Sequence, residues 1–242
     1  MRNKPQFAIE GDSLRKHLRK NFGLRVPQHA LPMFETVWRL KPQSEKKLED
    51  NERLAYIGEK ILDSVISVFL FEKYPCIEAS ALDDIQRRIT HHARLSRMAQ
   101  RLQIDYHPSA SDEESLLLRD YINSDILKAL IGAIGLVKGY DCAKKQIMKQ
   151  LMQQQQVIRE IGTNNTNYKG KILAWGQRNK SEIRFKPTKE IKYRGRILHI
   201  VSLYINNEWA ANGCDTLVKN AEQHASLNAL DGLNIQNDFS IS

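Results

Sequence analysis

The sequence predicts an all-α domain followed by a smaller α+β domain. Three observations carry that expectation. Apolar residues recur at spacings of three and four from Asn51 to about residue 152. A polar stretch then intervenes, with four glutamines at 153–156 and Gly-Thr-Asn-Asn-Thr-Asn at 162–167. After it come β-branched and aromatic runs flanked by helical patterns.

Residues 1–50 are basic and hold Pro5, Pro27, Pro32 and Pro42, which suggests short helices joined by loops. From Asn51, the series Leu54, Ile57, Ile61, Leu62, Val65, Val68 and Phe69 predicts a helix with a broad buried face, ending near Pro75. A second helix is expected over Ala81–Leu102 and a third over Ser115–Lys138, with Gly139 as its stop. The cluster Asp112-Glu113-Glu114 suits a helix N-terminus, with Ser111 as a cap. A fourth helix is expected over 141–152. Glutamines 153–156 read equally well as a linker or as an exposed helix end. Beyond them, Tyr168–Asn179 predicts a helix, Ile183–Phe185 and Ile197–Ile205 predict strands, and Val218–Leu230 predicts a final helix. That half reads α-β-β-α, with room for a third strand.

Composition bounds the partners. A formal charge of +9 and a pI near 9.4 favour a polyanion, either nucleic acid or an acidic membrane surface. A basic protein without such a partner is the plain alternative. Ten Lys or Arg fall within 169–196, against only Glu182 and Glu190. Sequence-independent phosphate contact follows from such a stretch, unless it is simply a solvated face. Cys76, Cys142 and Cys214 lie far apart and have no metal-ligand spacing, which fits reduced thiols. The apolar stretch at Ile61–Phe71 is interrupted by Asp63 and too short to span a bilayer, so a soluble cytoplasmic protein without membrane contact is expected. His91 and His92 point in different directions on a helix and are read as packing residues. Trp175 and Trp209 are also read as packing residues, with base stacking as the alternative.

Two segments carry a resemblance. Asn51-Glu52-Arg53-Leu54-Ala55-Tyr56-Ile57-Gly58-Glu59 resembles the ribonuclease III signature NERLEFLGD, and Ser124–Ile134 resembles that family's GDxxEALIGAI. Tyr74-Pro75 and Lys138-Gly139-Tyr140 fit the same context. Asn167-Tyr168-Lys169 and Ala221-Glu222-Gln223 resemble the start and final helix of its double-stranded-RNA-binding domain. The resemblance implies an all-α ribonuclease III endonuclease domain over 10–152, a linker over 153–165, and an α-β-β-β-α RNA-binding domain over 166–232. It also implies a homodimer that cuts duplex RNA with Mg²⁺ held by carboxylates from two helices.

Set against that pattern, Glu52 and Asp125 are kept, and Glu59 replaces an aspartate. Ala55 and Lys128 stand where the family has glutamates, and Glu78 or Ala79 stands near a further acid position. Glu52, Glu59 and Asp125 are thus the remnant catalytic and metal-binding set. Lys128 sits three residues from Asp125 on one helix face and would bring its own cation to the site. In the C-terminal half the candidate RNA contacts are Lys169, Lys171, Arg178, Lys180, Arg194, Arg196 and Lys219. Tyr193-Arg194-Gly195-Arg196 replaces the family's Gly-Pro-x-His loop, and Leu217-Val218-Lys219 replaces its Ser-Lys-Lys. The reading that follows is a family member that binds structured RNA but cleaves it weakly or not at all, for example in ribosome assembly. The alternatives are a working Mg²⁺-dependent endoribonuclease and a protein-interaction dimer without RNA contact.

Overall fold

The computed structural model describes residues 11–38, 51–106, 112–152 and 167–233. The chain divides into two compact units, Met1–Ser109 with Arg119–Thr163, and Ala110–Leu118 with Asn164–Ser242.

The first unit is helical. Helix α1 (Gly11–Phe22) buries Leu14, Leu18 and Phe22, a spacing of four that puts them on one face. A short 3₁₀ turn (Gln28–Ala30) leads into α2 (Leu31–Thr36), where Pro32 sits in the first turn, the place its missing N–H costs least. Pro5, Pro42 and the glutamines at 153–156 lie outside the described residues, as does the 153–165 linker. Helix α3 (Glu52–Lys73) forms as expected and buries Leu54, Leu62, Val65, Ile66, Phe69 and Leu70, but Val68 of the expected face is exposed and Ile57 and Ile61 are only half-buried.

Two expected helices are interrupted. The second is two helices, α4 (Ala79–Ile89) and α5 (His92–Arg101). The Thr90 hydroxyl donates to the Gln86 carbonyl at 3.1 Å, and His91 turns to extended backbone, so the chain reorients there. His92 then stacks on Tyr121 with ring centroids 3.9 Å apart, and its ring also lies 4.0 Å from that of His91, so the two do not point apart as expected: His91 sits in the extended break before α5 rather than on a helix. The third divides at Leu118 into α6 (Glu113–Leu117) and α7 (Arg119–Lys138), and α6 clusters with the second unit. Asp112 caps α6, its carboxylate accepting from the Ser115 backbone N–H at 3.0 Å. Ser111, the expected cap, lies outside the described residues. Gly139 stops α7 at a φ of +85°, and α8 (Tyr140–Met152) follows.

Helix α7 is the hub, packing against α3, α5 and α8. Its side chains Ile126, Ala129, Leu130, Ala133 and Ile134 are buried. Buried Asn123 ties this core together: its side-chain amide donates to Ser96 Oγ at 3.3 Å, and its carbonyl oxygen accepts from the Tyr106 N–H at 2.6 Å.

The second unit is α9 (Tyr168–Arg178), strands β1 (Ile183–Tyr193), β2 (Arg196–Ile205) and β3 (Glu208–Asp215), and α10 (Val218–Gly232). The strands form an antiparallel sheet in the order β1-β2-β3. Its core gathers Ile172 of α9, Leu203 and Ala211 of the sheet, and Ala225, Ala229 and Leu230 of α10, with Trp175 packed against them. Strand β1 is much longer than the expected Ile183–Phe185, and the third strand is present. Pairing shifts between Pro187 and Lys189, so Thr188 is an extra residue on β1. No helix of the described residues is long and apolar enough to cross a membrane.

Candidate active site and RNA-binding surface

Helices α3 and α7 touch backbone to backbone. A methyl group added at Gly58 would lie 1.7 Å from the Lys128 carbonyl oxygen, and one at Gly132 would lie 2.1 Å from that of Leu54. Only glycine permits this approach. It brings the turn carrying Ala55 and Glu59 against the turn carrying Lys128.

Lys128 Nζ stands 3.4 Å from Glu59 Oε2. The lysine side chain is 16% exposed and the glutamate 43%, so the cation is the more enclosed partner. Ala55 is buried, and its methyl group supplies no oxygen. Asp125 is half-buried, one turn before Lys128 on α7. Glu52 is exposed in the first turn of α3, nearly two turns before Glu59. Glu78 precedes α4 as its cap residue and is exposed, as is Ala79.

Asp63 joins this cluster. It lies one turn beyond Glu59, on the same face of α3. Burial, then the neighbouring Glu59 carboxylate, pushes its carboxyl above the ordinary aspartate value. A hydrogen bond from Gln86, then Lys60 and Lys128, pulls in the other direction. Gln86, on α4, donates to Asp63 Oδ1 at 3.4 Å and accepts from Ser67 Oγ at 2.7 Å. In the sequence Asp63 reads only as a break in an apolar run, although its i+4 spacing from Glu59 is a usable signal.

The candidate RNA contacts fall into three groups. Lys169 and Lys171 lie at the start of α9, near α10. Lys169 Nζ is held by Glu222 Oε2 at 2.5 Å and lies 4.9 Å from the Phe185 ring centre, while its backbone N–H donates to Gln223. Lys171 reaches over Tyr168. Lys219 is exposed in the first turn of α10, three residues before Glu222. Arg194 lies in the β1–β2 turn and Arg196 follows it; in this two-residue reversal Arg194 and Gly195 both take positive φ, 47° and 75°. Arg178 and Lys180 lie at the other end of α9, beside the start of β1 and the β2–β3 turn, where Asn206 Nδ2 donates to Ser181 Oγ at 3.4 Å. At about 3.3 Å per residue, the two hairpin turns stand roughly 30 Å apart.

The positive end of α10 already has an anion. Asp215 Oδ1 accepts from the Leu217 N–H, the Thr216 hydroxyl and the Asn220 side-chain amide, at 3.2–3.3 Å.

A sequence profile described as Ribonuclease-III-like matches residues 41–155, the part holding α3, α7 and the Glu59–Lys128 pair. Ribonuclease 3 of Clostridium acetobutylicum is 27% identical over 231 residues, covering 93% of this chain and 99% of that protein. This chain is similar to the ribonuclease III family. Ribonuclease 3 of Azobacteroides pseudotrichonymphae is 27% identical over 179 residues, covering 74% of this chain and 68% of the relative. Against Ribonuclease 3 of Bacteroides fragilis, 26% identical over 141 residues, the match spans about half of the relative's length, 47%. The nuclease domain of the Campylobacter jejuni ribonuclease III is a similar solved structure, with 23% identity and a TM-score of 0.48 over 57% of this chain and 96% of that one. The expected fold class is observed: an all-α domain of the ribonuclease III nuclease type followed by an α-β-β-β-α domain of the double-stranded-RNA-binding type.

Proposed function

We propose that this chain is a ribonuclease III family member that binds duplex-containing RNA and cleaves it weakly or not at all. One observation carries the reading: Lys128 Nζ stands 3.4 Å from Glu59 Oε2, between the two helices whose carboxylates would hold a metal. Mg²⁺ is the cofactor the family implies. It requires several hard oxygen ligands in near-octahedral array. The residues present do not fit it. Ala55 offers no oxygen, Lys128 offers a cation, and the neighbouring Asp63 carries a carboxyl whose burial favours the protonated form. Two unit charges about 4 Å apart interact by about 4 kcal/mol at an effective dielectric near 20, and a divalent ion would feel about twice that. Because 1.4 kcal/mol is about tenfold, even part of this repulsion weakens metal binding by orders of magnitude. The ammonium supplies the counter-charge a metal would otherwise bring, so the Glu59 carboxylate is balanced without one.

The RNA-binding half of the reading is supported by the α-β-β-β-α unit and by exposed Lys180, Arg196 and Lys219. Self-association is supported less directly. The broad apolar face of α3 packs inside its own unit, against α7. Exposed Val68 and Phe71 of α3, with Leu136 and Tyr140, remain as apolar surface for a second copy.

The test is duplex RNA cleavage across Mg²⁺ and Mn²⁺ concentrations. The wild-type chain is expected to leave the duplex intact, and Lys128→Glu with Ala55→Glu is expected to gain metal binding and some cleavage. Robust wild-type cleavage, abolished by Glu59→Ala or Asp125→Ala, would establish a working nuclease instead.

A further inference from the structure

The sheet of the second unit has two faces. The helix-side face carries Ile183, Phe185, Leu203 and Ile205, all in or against the core. On the other face the strand register places three residues side by side in each of two rows. The first row is Arg184, Tyr204 and Trp209, and the second is Lys186, Ser202 and Asn212. The Thr188 bulge adds Lys189 to the same face, opposite Ile200, where the face is no longer open: Ile191, Leu198, Ile200 and Cys214 on it are buried, and the exposed part is the end bearing Arg184, Lys186, Tyr204 and Trp209.

Trp209 stands out. It is 61% exposed, and yet it is fixed. Its indole N–H donates to Asn212 Oδ1 at 2.9 Å, and the same oxygen accepts from the Ser202 hydroxyl at 2.7 Å. The ring is therefore braced across two strands while much of it meets solvent. Tyr204 is its register partner on β2. Arg184 pairs in register with Tyr204 and is itself ion-paired to Glu182 at 2.8 Å. With Lys186 and Lys189, the face sets three cations against that one carboxylate.

We infer that the exposed end of this outer sheet face, around Trp209, is a stacking platform for unpaired nucleotides of an RNA strand. An aromatic ring held in place offers its π-face without first losing rotamer freedom, and base–aromatic stacking is indifferent to sequence. Bases inside a duplex are already stacked on one another, so only an unpaired segment can use such a ring. The neighbouring cations meet its phosphates. The face lies on the opposite side of the sheet from α9 and α10. It extends the duplex-binding reading to RNAs with a single-stranded extension, and rests on that reading only in taking RNA as the ligand.

The test uses the full chain at low salt and two probes read by fluorescence anisotropy: a labelled ten-nucleotide oligouridylate and a labelled blunt RNA hairpin. Trp209→Ala is expected to weaken oligouridylate binding about tenfold and to change hairpin binding less than twofold. Trp209→Phe keeps a ring and is expected to retain most of the affinity. Lys186→Ser leaves the ring network intact and is expected to lower the salt slope for the oligouridylate by about 0.7. If the wild-type chain does not bind oligouridylate, or if Trp209→Ala and Lys186→Ser both bind it like wild type, the platform does not exist. A Trp209→Ala change in sedimentation without a change in oligouridylate affinity assigns the face to a protein contact and overturns the inference. Duplex cleavage by the wild-type chain bears on the proposed function alone and leaves this result untouched.

Discussion

At the scale of single residues, Asp63 and Lys128 set the chemistry of the α3–α7 site in opposite ways. Lys128 neutralises, whereas Asp63 adds a second carboxylate that burial and Glu59 disfavour. The carboxyl of Asp63 binds its proton more tightly in the folded chain than in the unfolded one. Stability therefore falls as pH rises from the ordinary aspartate value through the raised one, and the ionised form is a net cost at neutral pH. Asp63→Asn keeps an oxygen for Gln86 and removes that cost. Its melting temperature at pH 7 should exceed that of the wild type, with a flatter dependence on acid pH just above the ordinary aspartate value. Equal melting curves at pH 7 would refute the electrostatic account. Little of this was legible in the sequence. Glu52, Glu59, Asp125 and the two exchanged positions follow from motifs whose spacing is local. The Asp63–Gln86 contact joins α3 to α4 across 23 residues, and no spacing rule announces it.

At the scale of elements, the α3–α7 crossing is set by two glycines. Gly58→Ala would drive its methyl group into the Lys128 carbonyl, a backbone atom that cannot swing aside. A loss of about 3 kcal/mol or more is expected, read from urea denaturation, because the helices must part to admit it. An alanine variant as stable as wild type would mean that the helices cross elsewhere. Both helices were legible because their apolar period persists for five or six turns. The break at Thr90–His91 was not, since the pattern on either side stays in phase and the Thr90 hydroxyl bond to Gln86 is one that Ser67 and Ser226 also make inside unbroken helices. Strand β1 was under-read for another reason. Lys186-Pro187-Thr188-Lys189 is polar and contains a proline, which masks a strand at the sheet edge, where a missing N–H is tolerated.

At the scale of the whole molecule, positive charge is distributed rather than concentrated, and its members do different work. Lys219 is exposed at the start of α10, whereas Lys169 is tied to Glu222 and packed over Phe185. Duplex affinity should fall steeply with salt, and Lys219→Ala should reduce the log–log slope by about 0.7 to 0.9. Lys169→Ala should instead lower the melting temperature of the second unit and leave the slope nearly unchanged. Equal slope changes for both variants would show that Lys169 releases Glu222 to meet phosphate. Sequence alone placed both lysines in one set, because a partner 53 residues away cannot be read from composition.

Thr188 gives β1 a change of phase. Side chains alternate along a strand, so one surplus residue reverses which of its neighbours look inward. Before the surplus, odd-numbered positions such as Ile183 and Phe185 face the helices, and after it the odd-numbered Lys189 faces away. The strand is thus two amphipathic sentences joined by a comma. Deleting that one threonine would leave Lys189 opposite Ile200 and Glu190 opposite His199, so the same side chains would face the same sides and only the local kink would be lost.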